Sequence, residues 1–283
     1  MKIVCEKDFD NLQDGNKLVG NKPILKQSCI NFNGRNNILV CDEKVCLEHS
    51  NLTFKGDNSL IFLCRSRHVY KLNVSIFHNS VFFIGCDNYF NGVLNVVLSE
   101  QKHVYIGDNG LFSFGIWIRI ADPHLIYDIE TKCRKNTTRS VFIGDHVWIG
   151  QSAMILKGTQ ISSGSIVGAM SVVAGKRIYS NESWAGNPAR LVAKSIFWEG
   201  ECVHSWRTEE TTRNFVNIQI NHIYEYSDPE YISFDGIDIE LSALATSFEK
   251  YEYLKKLNEL KAKNRFALFE TKKRKYFSFP VLK

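Results

Sequence analysis

The chain has 283 residues, 44% hydrophobic and 23% charged, with a formal net charge of +5 at pH 7. This is the make-up of a soluble globular protein of one large domain or two smaller ones, and no nucleic-acid partner is expected. No window reaches the roughly 18 apolar residues of a membrane span, and Met1-Lys2-Ile3-Val4-Cys5-Glu6-Lys7-Asp8 lacks the apolar core of a signal peptide.

The eight cysteines (5, 29, 41, 46, 64, 86, 133 and 202) include no Cys-x-x-Cys pair. Neither a disulfide framework nor a zinc knuckle is expected, and reduced thiols point to the cytoplasm.

Residues 1–27 read as an N-terminal segment, and a repeating part is predicted over 28–195. Phe32-Asn33-Gly34-Arg35-Asn36-Asn37 is echoed by Phe54-Lys55-Gly56-Asp57-Asn58-Ser59, and three later strand phrases end in Ile84-Gly85, Ile106-Gly107 and Ile143-Gly144. Coils of about 18 to 22 residues account for this spacing. The Asn-rich phrases suit the left-handed backbone of tight corners.

From Ile143 every sixth residue is Ile or Val: Ile149, Ile155, Ile161, Val167 and Val173 follow. A period of six fits neither a helix nor an open strand, and it predicts a β-solenoid with one aliphatic side chain pointing inward per face. Val147, Ala153, Thr159, Ser165 and Ser171, four places after the first five rungs, are small enough for crowded corners. Upstream, Ile106, Phe112, Ile118 and His124 keep the phase, which returns at Ile143 displaced by one residue. Between them, 125–140 reads as a loop thrown out of the coil, a usual place for binding chemistry.

Residues 196–283 form a C-terminal extension. It holds aromatics at Phe197-Trp198, Trp206, Phe215, Tyr224 and Tyr231, then Leu241, Leu244, Phe248, Tyr251, Leu254, Leu257 and Leu260 at helical spacing. One helix is predicted around 239–265. The basic run Lys272-Lys273-Arg274-Lys275 is suited to peripheral contact with an anionic surface such as the inner face of the membrane, or to a solvated tail.

The repeat followed by Trp184-Ala185-Gly186-Asn187-Pro188-Ala189-Arg190 resembles the left-handed β-helix (hexapeptide-repeat) acyltransferases that use acetyl-CoA. Ser113-Phe114-Gly115-Ile116-Trp117-Ile118-Arg119-Ile120-Ala121-Asp122-Pro123-His124, with His146-Val147-Trp148-Ile149-Gly150 downstream, narrows it. That combination is similar to bacterial O-acetyltransferases of capsular and lipooligosaccharide glycans, especially sialic-acid-containing ones. The resemblance spans roughly 80–192. It implies a mainly β, left-handed parallel β-helix, acetyl-CoA as co-substrate, a glycan acceptor and a homotrimer with active sites between adjacent subunits.

Acetyl transfer to a hydroxyl needs a base, an oxyanion donor and aligned substrates. His124 suits the base, since imidazole titrates near neutral pH, and the resemblance puts the essential histidine just ahead of such a loop. Asp122 is a candidate to orient it. The resemblance implies that Trp148, whose only donor is its indole N–H, meets the thioester or oxyanion across a subunit boundary; the backbone N–H of Gly150 or Gly168 is an alternative donor. For the coenzyme the resemblance implies Gly150, Ala153, Gly168, Ala169, Ser171 and Ala174 along the pantetheine arm and Pro188 in the closing phrase. Lys176, Arg177 and Arg190 are expected on the phosphates. Arg119, Tyr127 and Arg134 are expected on the acceptor side, suited to a sugar carboxylate.

A β-helix carbonic anhydrase would need three converging histidines, but His103, His124 and His146 lack the close His pair of that family, so no metal is expected. No Gly-rich nucleotide loop precedes the repeats, which disfavours a sugar nucleotidyltransferase. The reading is an acetyl-CoA-dependent O-acetyltransferase of a cell-surface glycan. N-acetylation of an amino sugar and a non-catalytic glycan-binding solenoid stand as alternatives.

Overall fold

Ile143, Ile149, Ile155, Ile161, Val167 and Val173 are all fully buried along one axis. In the computed structural model, which describes residues 1–218 and 220–270, they are rungs of a left-handed parallel β-helix of about seven turns. The small residues Val147, Ala153, Thr159, Ser165 and Ser171 are buried at its corners, as their spacing predicts.

Coils add strands in turn to three large sheets, and a short two-stranded sheet pairs Ile24–Lys26 with Cys46–Glu48. The first sheet has eight strands, from Lys2–Ile3 to Val172–Ala174, and the second eight, from Lys17–Gly20 to Arg177–Ile178. The third has six, from Tyr89–Phe90 to Arg190–Ala193. Parallel pairing already joins Lys17–Gly20 to Ile38–Cys41, on the N-terminal side of residue 28.

On the first sheet Asn51, Asn73, Asn95, Trp117, Met154 and Val172 stand in register. Coils are therefore 22 residues long at first and 18 at the end, with the one from Trp117 to Met154 swollen by the loop. Asn36, Asn58 and Asn79 take corners at φ of 54°, 57° and 55°, a conformation asparagine tolerates better than most side chains.

The second sheet is covered from outside. Phe62, Phe83, Tyr105 and Phe142 form a hydrophobic column on that face, where Phe234 stacks on Phe142 at 5.4 Å and Phe266 meets Tyr105 at 5.5 Å. Phe234 begins helix α2 (Phe234–Ala243), which with α3 (Ser247–Glu259) stands where one helix is predicted around 239–265. The break follows from backbone and caps: Leu244 is extended, and Thr246 and Glu249 close a capping box that restarts the helix. A shorter helix, α1, spans Thr208–Arg213.

Arg265 is buried and donates to both oxygens of Asp145 at 2.7 Å, pinning the extension to the solenoid. No helix among the described residues is long and apolar enough to cross a membrane. The run Lys272–Lys275 lies outside them.

Candidate active site

Beyond the strand Trp117–Arg119 the backbone leaves the coil and rejoins it at Val141–Ile143. The excursion is ordered by its own bonds: Tyr127 and Arg134 pair as an antiparallel bridge. Arg134 donates to both oxygens of Glu100 at 2.7 and 3.0 Å, and the Thr138 hydroxyl donates to the same carboxylate. Arg134 above all holds the Glu100 carboxyl below the usual range.

Asn136 is buried inside this loop. Its Nδ2 donates to the His124 carbonyl at 2.6 Å, while its Oδ1 accepts from the Ile126 N–H at 3.0 Å. The backbone around His124 is thereby fixed. The imidazole itself is exposed and makes no hydrogen bond among the described residues, so it is open to an incoming hydroxyl. Asp122, expected to orient it, instead pairs with Lys157 at 2.5 Å, which lowers the Asp122 carboxyl pKa.

Trp148 opens the strand Trp148–Ile149 on the third sheet. Alternation buries Ile149 and turns Trp148 outward, 37% exposed. Its ring lies 5.9 Å from that of Trp198 in the extension. Trp198 stacks on His146 at 3.9 Å, and His222 covers the other face of His146 at 3.7 Å. The Trp198 indole N–H donates to the His146 carbonyl at 3.2 Å, and His146 Nε2 lies 3.1 Å from the Trp198 carbonyl. Burial pushes the His146 imidazole down to about 4. Sequence reasoning missed this cluster; the one available signal was Trp198 among the aromatics of the extension.

The topology separates the two central residues. His124 follows a strand of the first sheet and precedes one of the second, so it stands at the corner between them, whereas Trp148 lies on the third sheet. In a three-sided prism that corner is opposite that face, and no hydrogen bond or ring contact joins the two among the described residues.

The coenzyme candidates divide by exposure. Gly150, Ala153 and Ser171 are buried, Gly168 and Arg177 half-buried, and Ala169, Ala174, Lys176, Pro188 and Arg190 exposed. A Cβ on Gly150 would come within 2.6 Å of the Ala169 nitrogen, so the next coil occupies the space this glycine leaves. The N–H groups of Gly150 and Gly168 are engaged by the carbonyls of Val167 and Trp184, at 2.7 and 2.8 Å. The Trp148 indole N–H, in contrast, has no acceptor among the described residues. Arg177 is tied to Asp235 at 2.7 Å. The closing phrase ends the parallel order, since Arg190–Ala193 turns back antiparallel on Ser183–Ala185.

Arg119 is half-buried at the end of its strand and makes no ion pair among the described residues, and Tyr127 is exposed. Among the described residues no group of three or more His, Cys, Asp or Glu side chains is placed to hold a metal ion.

A β-helix with this repeat, closing phrase and exposed loop histidine defines a hexapeptide-repeat acetyltransferase. No family model matches the chain. The polysialic acid O-acetyltransferase of Neisseria meningitidis is 30% identical over 182 residues, 64% of this chain and 84% of that one. The polysialic acid O-acetyltransferase of Escherichia coli O1:K1 is also 30% identical, over 36% of this chain and 33% of that one. The crystal structure of the polySia-specific acetyltransferase NeuO superposes with a TM-score of 0.59 at 26% identity, covering 71% of this chain and 98% of that one. This chain therefore belongs to the hexapeptide-repeat O-acetyltransferase family that contains these enzymes.

Proposed function

We propose that this enzyme transfers acetyl from acetyl-CoA to a hydroxyl of a sialic-acid glycan, in a site completed by a neighbouring copy of the chain. The observation that carries this reading is the separation of His124 from Trp148 on opposite sides of one prism. A homotrimer of side-by-side β-helices brings the histidine corner of one subunit against the tryptophan face of the next. The acceptor class rests on the two polysialic acid relatives.

His124 takes the proton of the attacking hydroxyl as the new C–O bond forms. The tetrahedral oxyanion is met by the indole N–H of the neighbour's Trp148, a role supported by the prior engagement of the Gly150 and Gly168 N–H groups in the coil. Collapse breaks the C–S bond, and the imidazolium returns its proton to the coenzyme sulfur. The exposed Lys176 and Arg190 serve the coenzyme phosphates; Arg177 is already paired with Asp235. A cytoplasmic setting belongs to this reading, because the donor is cytosolic.

The test incubates the enzyme and acetyl-CoA with a panel of sialylated and neutral oligosaccharides, following thiol release and product mass. Acetyl ester should form on sialylated acceptors, and turnover confined to neutral sugars overturns the acceptor class. His124→Ala should bind acetyl-CoA yet lose on the order of 10²- to 10⁴-fold in turnover; native turnover in that variant removes the base.

A further inference from the structure

The outer face of the second sheet ends in two cysteines on neighbouring coils. Cys64 follows the strand Leu60–Leu63 and Cys86 follows Val81–Ile84, and these strands pair in parallel. Cys64 is buried in the hydrophobic cluster under the extension, and the half-buried Cys86 packs against the same cluster. Backbone bonds hold both in place. The Cys64 N–H donates to the Ile84 carbonyl at 3.0 Å, and the Cys86 N–H donates to Asp108 Oδ1 at 2.7 Å. The Tyr70 hydroxyl spans the two coils, 2.6 Å from the Cys64 carbonyl and 3.4 Å from that of Gly85. Neighbouring coils lie about 4.8 Å apart, inside the Cα separation that a disulfide spans.

The two thiols are not equivalent. The Cys64 thiol hydrogen-bonds the Cys86 sulfur, and this above all pulls the Cys86 thiol down to about 7. Lys261, whose Nζ lies 3.9 Å from that sulfur and 2.7 Å from Asp108, adds to the pull. Partial burial and the carboxylates of Asp108 and Asp42 oppose it. Burial instead pushes the Cys64 thiol up, and the Tyr70 phenol beside the pair is pushed up in the same way. Cys41, one coil earlier, belongs to the interior cluster instead. An accessible thiolate next to a buried thiol is the arrangement of a redox-reactive cysteine and its resolving partner. No group assigned to acetyl transfer uses either sulfur.

We propose that Cys64 and Cys86 form a dithiol site that is reversibly oxidised by hydroperoxides, with Cys86 attacking and Cys64 resolving. The Cys86 thiolate attacks the peroxide: an S–O bond forms, the O–O bond breaks, and the departing hydroxide takes a proton from solvent. The Cys64 sulfur then attacks the sulfenic sulfur of Cys86. The S–S bond forms as the S–O bond breaks, and the leaving oxygen departs as water with the Cys64 proton. Two thiols are oxidised to one disulfide and the peroxide is reduced to two waters. The product staples two coils together where Lys261 of the extension meets the solenoid.

The test treats the native enzyme with equimolar hydrogen peroxide at neutral pH and maps its thiols by peptide mass. A Cys64–Cys86 disulfide, lighter by two hydrogens and reopened by dithiothreitol, is expected. Cys86 should react about tenfold faster than the exposed Cys5, Cys133 and Cys202, because the Cys64 donor holds it as thiolate. Oxidation of those exposed thiols ahead of Cys86 overturns the proposal, as does a Cys86 sulfenic acid that persists unpaired in the native enzyme. In Cys64→Ala that sulfenic acid should accumulate and be trapped by dimedone, and trapping no greater than in native enzyme removes Cys64 as the resolving thiol. Alkylation of Cys86 by iodoacetamide across pH gives a readout that needs no variant. Its midpoint should lie near 7 in native enzyme, and a midpoint at or above about 8.5, that of a free thiol, overturns the proposal.

Discussion

The buried side chain of Asn136 donates to the backbone carbonyl of His124 at 2.6 Å, bridging the loop between two residues twelve apart in sequence. Its oxygen accepts from Ile126, so one amide fixes the chain on both sides of Leu125. Asn136→Ala removes both bonds, and the one its oxygen accepts from Arg134 Nε at 3.3 Å, while leaving every group assigned to chemistry in place. The expected result is a fall in kcat of about ten- to a hundredfold, since a displacement near 1 Å has that effect. KM for the coenzyme should change little. Steady-state kinetics check this, and a native kcat would show that Glu100 and Arg134 hold the loop unaided.

Trp198 should matter to the reaction through Trp148, although it lies in the extension. Its ring backs Trp148 at 5.9 Å and is itself locked on His146 by stacking and by its N–H. Trp198→Ala frees the Trp148 indole, and a kcat loss of about tenfold is expected, less than removal of an oxyanion donor outright. Trp198→Phe keeps a ring and should recover part of the activity. Near-ultraviolet circular dichroism reports the altered tryptophan environment, and a full loss of signal with unchanged kcat would separate Trp198 from the chemistry.

How much of this was legible depends on the range of each interaction. The ladder from Ile143 to Val173 is local and periodic, so it identifies the solenoid, and the slip of phase after His124 marks the loop. The pairings that tune the site are not local. Arg134 finds Glu100 34 residues back, Arg177 is taken by Asp235 58 residues on, and Trp198 meets His146 across 52. No spacing rule reports such contacts, which is why Arg177 reads as a phosphate ligand in the sequence and as half of an ion pair in the fold. The two-helix break fails for a different reason: the apolar spacing runs on through Leu244, and only the cap at Thr246 interrupts it.

Two buried histidines predict acid sensitivity. Burial pushes His103 down to about 3 and His146 to about 4, and neither ring nitrogen of His103 has a hydrogen-bond partner among the described residues. Both stay neutral in the fold, while the unfolded chain takes up their protons below about 6.5. Stability is therefore full above that pH and falls as pH drops toward 4, each group contributing a slope approaching about 1.4 kcal/mol per unit. Urea unfolding between pH 7 and 4.5 measures it. His103→Leu should flatten the profile, and an identical slope in that variant would assign the acid sensitivity elsewhere.

Arg265 stands between two carboxylates, donating to Asp145 and lying 2.9 Å from Asp108 Oδ2, an oxygen that Lys261 also meets at 2.7 Å. Burial already raises the Asp145 carboxyl, and the guanidinium opposes that rise. Arg265→Met leaves Asp145 buried without its cation, so a destabilisation of about 3–5 kcal/mol is expected. The sign of its pH dependence follows from linkage. With the cation gone, Asp145 has a folded pKa further above its unfolded value, so the folded state binds more protons than the unfolded one. The deficit of the variant must then grow as pH rises from 5 to 7.5, opposite in direction to the histidine effect. Urea titrations of native and variant protein at both pH values check this, and a deficit that shrinks with pH would mean that Asp145 is ionised and solvated once Arg265 is removed.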